Sequence, residues 1–508
     1  MEPTETKDAG IVPTTTQDRA STPSVDEKKP QAQNGSPQDA EILAALESYV
    51  PGTAEEKRLV RKIDFILLPL LWWMYILAYL DRGNIANANA AGMSDDLGLS
   101  DTQYSLLVSL FFLAYVIFEV PSNMILMKIK PSIYLSTIIW VWGCVVIAMS
   151  QTKNASGFMA GRFFLGAIEA GLFPGAIFIL TCWYTKKEVG KRFCIFYTSG
   201  CVAPALGGIM AGAVIEGLEG VRGIPGWRWL LLIEGVITVT CGLGLYLLLP
   251  NYPLNSRMLT PEQRILAHVR IMRDRDENRG PAEEEDQLTP FQAFRAVLAD
   301  KRIWFFLVVY ICNTLAMTIT YFIPVILQDL GYAGTKAQWM TVPIWVCGAI
   351  FQLFWSYTSD RTQDRRWHNT GLIGLSAVTC IVSLAVTNGV AKYVMMCFLI
   401  GGMYTALPLI LNWVSETFAR PERKRSIAIA FVNASGHTTF IYGSYLWPSS
   451  QAPRNFAGFG TLTAVLCIGT VLAALLPVIF KHLPNPEQDV VEEQRQETVT
   501  SANEKSEA

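Results

Sequence analysis

The sequence has few charged residues for its length. Of its 508 residues, 17% are Asp, Glu, Lys or Arg, whereas 51% are hydrophobic. This balance excludes an ordinary soluble protein and favours one embedded in a lipid bilayer. The formal net charge is only −2, so overall charge indicates no oppositely charged partner, and we expect no nucleic acid among the partners.

Motifs for catalysis and cofactor binding are also missing. The sequence contains no Gly-x-x-x-x-Gly-Lys run, which disfavours direct use of ATP. No nucleophile–base set is visible, and the ten cysteines lie in or beside apolar runs without the spacing of metal ligands. We therefore expect no enzymatic activity, no metal site and no cofactor.

Long apolar runs make up most of the chain. About twelve are long enough to cross a bilayer, and they begin near residues 63, 104, 133, 158, 193, 229, 303, 339, 371, 393, 427 and 462. We predict an all-α membrane protein with twelve transmembrane helices in two six-helix bundles, at 59–250 and 303–483. Between them, 251–302 is expected to be a solvated cytosolic linker with short amphipathic helices, one at 261–275 after the capping residue Thr260.

The ends and the short loops predict the orientation. The first 50 residues have no early apolar stretch, so we expect no secretory signal peptide, and the tails at 1–58 and 484–508 are predicted to be disordered and cytosolic. Basic residues concentrate in alternate loops, around 128–130, 186–192, 361–366 and 420–425, which is typical of the cytosolic side. The plasma membrane is the expected location, with an internal membrane as the alternative.

Four charged residues interrupt the apolar runs of the first half. Asp81 and Arg82 are adjacent near the end of the first run, and Arg162 and Glu169 lie in the fourth. The seven-residue spacing places the last two on one helix face, about 10 Å apart. Charge at this depth is costly unless it is paired or functional. The pattern suggests an anion site beside a proton site; a structural salt bridge between Arg162 and Glu169, or an ion pair at a membrane edge for Asp81 and Arg82, is the alternative.

A loop motif in the second half supports a family resemblance. Two six-helix halves joined by a charged loop is the layout of major facilitator transporters, and 356–366 resembles their G-x-x-x-D-R-x-G-R-[K/R] loop, departing at Ser356 and Gln363. The resemblance implies that Asp360, Arg361 and Arg365 help to hold the halves in one state. The corresponding first-half loop has Met127 where the acid would be.

Further segments narrow the resemblance. Residues 79–84, 118–123, 161–175, 226–235 and 445–454 resemble the anion:cation symporter branch, in particular fungal allantoate/nicotinate/pantothenate permease-like members. The resemblance covers roughly 55–485. It implies that Asp81 and Glu169 carry protons and that Arg82 and Arg162 bind the substrate carboxylate. The chemistry agrees, because a guanidinium stays charged and binds a carboxylate with two hydrogen bonds.

Other polar residues in the apolar runs are candidates for substrate contact or gating. For substrate contact the candidates are Asn84, Asn313, Tyr321, Asn412, Asn433 and His437. The alternative for most of them is interhelical hydrogen bonding. Glu119 and Glu416 are expected to act as cytosolic latches, and Glu234 is expected to lock helix ends beside Arg228.

The sequence thus predicts a proton-coupled importer of a small organic anion that works by alternating access. Protons and the anion are the expected partners, together with the lipid bilayer, and a monomer is the expected state. Export of a metabolite or toxin by proton antiport is the first alternative, and a nutrient sensor with this fold is the second. The sequence does not identify the substrate.

Overall fold

The computed structural model describes residues 37–126, 128–277, 290–332, 334–418 and 422–483. The chain divides into two units, 1–48 and 49–508. The described part of the first unit is helix α1 (Pro37–Ser48). The second unit is helical and contains no strand among its described residues, which confirms the predicted all-α fold.

Among the described residues, the first half of the second unit contains nine α-helices. They are α2 (Ala54–Ala90), α3 (Met93–Leu97), α4 (Asp101–Leu126), α5 (Pro131–Ser150), α6 (Ala155–Glu169), α7 (Leu172–Trp183), α8 (Lys186–Tyr197), α9 (Ser199–Leu218) and α10 (Gly226–Leu248). Side-chain caps define some of the helix starts. Thr53 accepts a hydrogen bond from the backbone N–H of Glu56, and Asn154 accepts one from Gly157. Each cap satisfies a backbone donor that lacks a partner within the helix.

The linker and the second half contribute ten more described helices. They are α11 (Pro261–Glu277), α12 (Pro290–Ala299), α13 (Lys301–Ala316), α14 (Ile323–Asp329), α15 (Thr335–Thr362), α16 (Arg365–Ala385), α17 (Gly389–Thr417), α18 (Glu422–His437), α19 (Thr439–Gly443) and α20 (Phe456–Lys481). A short 3₁₀ helix (Met317–Tyr321) joins α13 to α14. Both predicted tails lie wholly or mainly outside the described residues.

Eleven of the described helices or helix pairs are long and apolar enough to cross a membrane, six in the first half and five in the second. The remaining predicted run, the eleventh, near residue 427, is helical but broken into α18, α19 and a 3₁₀ turn (Ser444–Leu446). At this break the hydroxyl of Thr438 donates to the carbonyl of Ser435 and that of Thr439 donates to the carbonyl of Gly436.

Small residues allow the two halves to pack closely along α9 and α15. A Cβ atom on Gly208 would collide with Thr341, and one on Gly212 would lie 2.8 Å from the indole of Trp339. Close helix approach through glycine is a common way to join helices in lipid. Gly208 and Gly212 on α9 therefore contribute to the contact between the halves.

Helix α11 confirms the helix predicted at 261–275, but its environment differs from the expected solvated one. Arg270 is 1% exposed, and its Nη2 lies 2.6 Å from a carboxylate oxygen of Glu188 and donates to the carbonyl of Trp183. Ala267 and Val269 are buried as well. One side of α11 therefore packs on the first half, because Glu188 supplies a partner for the buried guanidinium.

Asp300 joins the start of α13 to α18. Its carboxylate caps α13, pairs with Arg302 at 2.7 Å and accepts a hydrogen bond from Lys424 at 3.1 Å. Burial alone would raise the pKa of this carboxyl, but the hydrogen bonds and charges of Arg302 and Lys424 outweigh burial and lower it. The lowered pKa means that the ionised form stabilises the fold.

We predict that Asp300→Asn destabilises the protein by on the order of 3 kcal/mol at neutral pH, since it removes a buried negative charge that pairs with two buried cations. In the wild type this stabilisation is fully present above the ordinary Asp pKa of about 4 and is lost as the pH falls through the lowered folded-state value. Thermal unfolding of the purified protein in detergent, at neutral and acid pH, measures both effects. The exposed Asp95→Asn is the control, and equal melting temperatures for the two variants would contradict the prediction.

Candidate functional site

A cavity that encloses about 1000 Å³ together with the open solvent at its mouth lies between the two halves. Residues from α2, α4, α7, α8 and α9 form one side, and residues from α13 to α15 and α17 to α19 form the other. Because both halves contribute to its wall, any relative movement of the halves changes the cavity.

Arg82 provides the charge on the cavity wall. Its Nε donates to Glu169 across 2.5 Å, and its guanidinium lies 4.8 Å from the ring centre of Tyr115 and 5.4 Å from that of Tyr79. Glu169 is fully buried, does not line the cavity, and leaves its second carboxylate oxygen without a hydrogen-bond partner. Arg82 therefore stands between a buried acid and the space where a ligand would bind.

Asp81 points away from the cavity into the first half. It accepts a hydrogen bond from the indole nitrogen of Trp142, while its other oxygen has no hydrogen-bond partner. The carboxyl of Glu234 on α10 lies in the electrostatic neighbourhood of Asp81, and neither of its oxygens has a hydrogen-bond partner. Two buried acids thus share one region of the bundle, next to the Arg82–Glu169 pair.

The expectation for Glu234 was wrong. Glu234 is 1% exposed, and the partner expected for it, Arg228, instead pairs with Asp96 at 2.9 Å and donates to the carbonyls of Ser150 and Thr152. Sequence proximity suggested the wrong partner, since Arg228 lies at the start of α10 and reaches the neighbouring loops. An acid six residues into an apolar run was the signal that could have identified Glu234 as part of the charged cluster.

Arg162 is close to this cluster but does not line the cavity. Its guanidinium carbon lies 4.7 Å from the ring centre of Phe111, its Nε is 3.5 Å from the carbonyl of Leu107, and its Nη2 has no hydrogen-bond partner. The alternative of a salt bridge between Arg162 and Glu169 is not found, because Glu169 pairs with Arg82. Phe111, the ring on which Arg162 packs, does not line the cavity either.

The structure brings four of the six polar candidates to the cavity and leaves two outside it. Asn84, Tyr321, Asn433 and His437 line the cavity. Asn433 accepts a hydrogen bond from Tyr310, and Asn84 accepts one from Asn87, each at 2.9 Å. Asn313 instead donates to the carbonyl of Met403, which is interhelical bonding, and Asn412 is absent from the lining.

One end of the cavity is closed by hydrogen bonds between the halves. Tyr104 donates to the carbonyl of Tyr321 at 2.8 Å, and Ser109 donates to that of Ile441 at 2.6 Å. Asp101 accepts bonds from the backbone and the hydroxyl of Ser449. These contacts join the start of α4 to the second half, at the end of the bundle opposite the basic loops.

The predicted gate residues of the second half cluster within that half. Arg365 pairs with Asp360 at 2.8 Å and with Glu416 at 3.0 Å, which links the ends of α15, α16 and α17. Arg361 is exposed and lies 3.4 Å from the hydroxyl of Tyr357. Glu119 is half-buried on α4 in the electrostatic neighbourhood of Arg82. The described contacts of Arg365 with Asp360 and Glu416 therefore stabilise the second half.

Comparison with known sequences identifies the family. The sequence profile of the Major Facilitator Superfamily matches residues 71–444 and 310–503. The chain belongs to the Major Facilitator Superfamily. It is therefore a membrane transporter and not an enzyme, in agreement with the prediction from sequence.

Relatives within the Major Facilitator Superfamily match nearly the whole chain. The MFS-type transporter cnsO of Penicillium expansum is 33% identical and covers 91% of both chains. The transporter hxnP of Emericella nidulans is 29% identical over 86% of this chain and 88% of its own. A putative tartrate transporter of Agrobacterium vitis is 28% identical over 83% of this chain and 92% of its own.

A solved structure shares the fold. A bacterial homologue of the human lysosomal transporter Spinster, crystallised in an inward-facing and unoccupied conformation, superposes with a TM-score of 0.65. The sequences are 15% identical, and the match covers 83% of this chain and 98% of that one. This likeness establishes the fold of the two bundles.

We predict that Arg82→Met destabilises the protein by about 3–5 kcal/mol, because Glu169 is left buried without its cation. Combining it with Glu169→Gln should restore part of the loss, since the two residues form one interaction. Melting temperatures of the two single variants and the double variant in detergent measure the coupling. Lys153→Met, at an exposed lysine, is the control. Strictly additive effects would show that the ion pair does not contribute to stability.

Proposed function

We propose that this transporter takes up a small organic anion together with protons, by alternating access. The observation that supports the proposal is the position of Arg82, which lines the cavity and pairs with the buried Glu169 at 2.5 Å. A substrate carboxylate that enters the cavity competes with Glu169 for the same guanidinium. Protonation of Glu169 removes the competitor, so proton binding and anion binding favour each other.

The transport cycle follows from this competition. In the outward-open state Glu169 takes up a proton, and Arg82 is released to bind the substrate carboxylate. Because Glu169 is then neutral and Arg82 is paired with the substrate carboxylate, fewer unpaired charges lie around Arg82. Less free energy is therefore needed to close the cavity. In the inward-open state the proton leaves, Glu169 recovers Arg82, and the substrate is released. Asp81 and Glu234 form a second acidic site in this scheme, and Arg162 would bind the anion only in a conformation that brings its guanidinium to the cavity.

The contacts between the halves fit one state of this cycle. The hydrogen bonds of Tyr104, Ser109 and Asp101 close the end opposite the basic loops. If those loops are cytosolic, the closed end is the outer one, and the opposite end must open for substrate release. We propose the plasma membrane as the location, both termini in the cytosol, and a monomer as the working unit. Asp360, Arg361, Arg365, Glu119 and Glu416 would then regulate the cytosolic end.

Two further observations support an anion as the substrate. The charged side chain on the cavity wall is a guanidinium, which stays protonated under all physiological conditions. The putative tartrate transporter among the relatives carries a name that refers to an organic anion. We also propose, on the sequence segments described above, that the chain belongs to the anion:cation symporter branch.

We predict that Glu169→Gln abolishes the dependence of uptake on the proton gradient, because glutamine cannot release a proton, while exchange of substrate across the membrane continues. The measurement is uptake of a panel of labelled carboxylates by transporter-deficient yeast at about pH 5 and pH 7, with and without a protonophore. Wild-type uptake should be faster at the lower pH and should stop with the protonophore.

The exposed Glu216→Gln serves as the control and should behave as the wild type. Proton-driven accumulation by Glu169→Gln would contradict the role of Glu169. Absence of wild-type uptake for every carboxylate, despite surface expression and together with increased resistance to a toxic anion, would favour export.

A further inference from the structure

We infer that helix α12 (Pro290–Ala299) lies in the headgroup layer of the membrane and binds anionic phospholipids there through Arg295 and Lys301. The inference concerns a lipid surface and not the transported substrate, so it does not depend on the proposed function. It is based on the exposed rings of α12, on two unpaired cations and on the position of the helix at the start of a membrane span.

Helix α12 buries one side and exposes large apolar side chains on another. Ala293 and Val297, one turn apart, are fully buried, and the helix packs on α18. Phe291, by contrast, is 74% exposed, and Phe294 is 39% exposed. The pitch of the helix places these two rings on one flank, about 60° apart around the axis. Apolar surface that is exposed to this extent is stabilised when lipid covers it.

This flank continues into the exposed surface of α13. Trp304 and Val308, one turn apart near the start of that span, are 47% and 42% exposed. The indole nitrogen of Trp304 donates to the carbonyl of Leu298 at 3.0 Å, which holds the ring against the end of α12. Phe294 and Trp304 both contact the ring of Phe431 on α18, with ring centres 6.1 and 5.9 Å away. The flank of α12 and the lipid-facing stripe of α13 therefore form one continuous apolar surface.

The position of α12 along the bundle places it where a membrane span meets water. Asp300, the residue between α12 and α13, caps the start of α13 and accepts a hydrogen bond from Lys424. Lys424 belongs to the basic segment at 420–425, so α12 lies at the end of the bundle that carries the basic loops. A tryptophan at this depth, such as Trp304, is typical of the membrane–water interface.

Two cations border the apolar flank. Arg295 and Lys301 are exposed, and among the described residues neither forms an ion pair. Arg295 lies about 40° from Phe291 around the helix axis. A long cationic side chain beside an apolar flank can lay its carbon chain on the apolar surface and keep its charge at the level of the lipid phosphates. Anionic headgroups therefore supply the partner that both cations lack.

A lipid surface fits this face of α12 better than a second copy of the chain does. In a two-fold dimer the same face would be used twice, so Arg295 and Lys301 would approach their own copies. Four cations in one interface repel each other. Anionic lipid, by contrast, complements the charge and the apolar flank together.

Photo-crosslinking of the full-length protein in vesicles tests the position of the flank. The photoreactive amino acid p-benzoylphenylalanine is introduced at position 291, and the protein is reconstituted into phosphatidylcholine vesicles with about 30% phosphatidylserine. After irradiation we expect mass spectrometry to find the peptide around position 291 joined to phospholipid. The same amino acid at position 292, on the polar side of α12, is the matched control and should give at most about one fifth as much lipid adduct.

Thermal unfolding in nanodiscs tests the choice of headgroup. We expect about 30% phosphatidylserine in phosphatidylcholine to raise the melting temperature of the wild type by about 4 °C or more, because a ligand of the folded state stabilises it. Arg295→Gln combined with Lys301→Gln should lose at least about half of this rise. Each variant is compared with itself in pure phosphatidylcholine, so effects on the fold alone cancel.

A second double variant controls for the loss of charge. Lys57→Gln combined with Arg58→Gln removes two exposed cations at the start of α2. These residues do not belong to the linker or to α13. The control should therefore retain the wild-type rise in melting temperature.

The results separate lipid from other occupants of this face. Adducts at position 291 to a second copy of the chain or to its N-terminal tail would identify a protein partner and overturn the inference. Equal lipid adducts at positions 291 and 292 would overturn the placement of the flank in the membrane. No rise in the wild type would overturn the preference for anionic lipid, and an equal loss in both double variants would overturn the assignment of headgroup binding to α12.

Discussion

The ion pair between Arg82 and Glu169 is the interaction on which the rest of the site depends. A guanidinium and a carboxylate that are both removed from water are stable only while each has its partner. Arg82 has a second possible partner, because it also lines the cavity, whereas Glu169 does not. In the transport cycle that we propose, this buried pair connects the occupancy of the cavity to the protonation of Glu169, which does not line the cavity.

Other buried polar side chains surround the Arg82–Glu169 pair. Around the pair lie Asp81 with Trp142, Glu234 and Arg162, all buried, and several of their polar atoms have no hydrogen-bond partner. Unpaired polar groups in a dry region favour any rearrangement that gives them partners. The first half thus holds the charged groups, while the second half supplies mostly rings and amides to the same cavity.

Much of the fold and part of the site were predictable from the sequence. Apolar runs of bilayer length must become helices, since only a helix satisfies its own backbone in lipid, and the runs around Asp81, Arg82, Arg162 and Glu169 are clear in the sequence. The break near Thr438 was not predictable from hydropathy, because hydropathy reports the length of an apolar run and not the course of its backbone. The placement of α11 depends on an ion pair between residues far apart in the chain.

The sequence by itself determined which residues are charged within the apolar runs and how they are spaced along each helix, because these follow from composition and from the pitch of the α-helix. Only the tertiary structure decided the pairing. Glu169 contacts Arg82 on another helix and not Arg162 on its own, since residues two turns apart on one helix are farther apart than residues that face each other across a helix contact. The same reason placed Glu234 beside Asp81 and left Arg82 as the charge that faces the cavity.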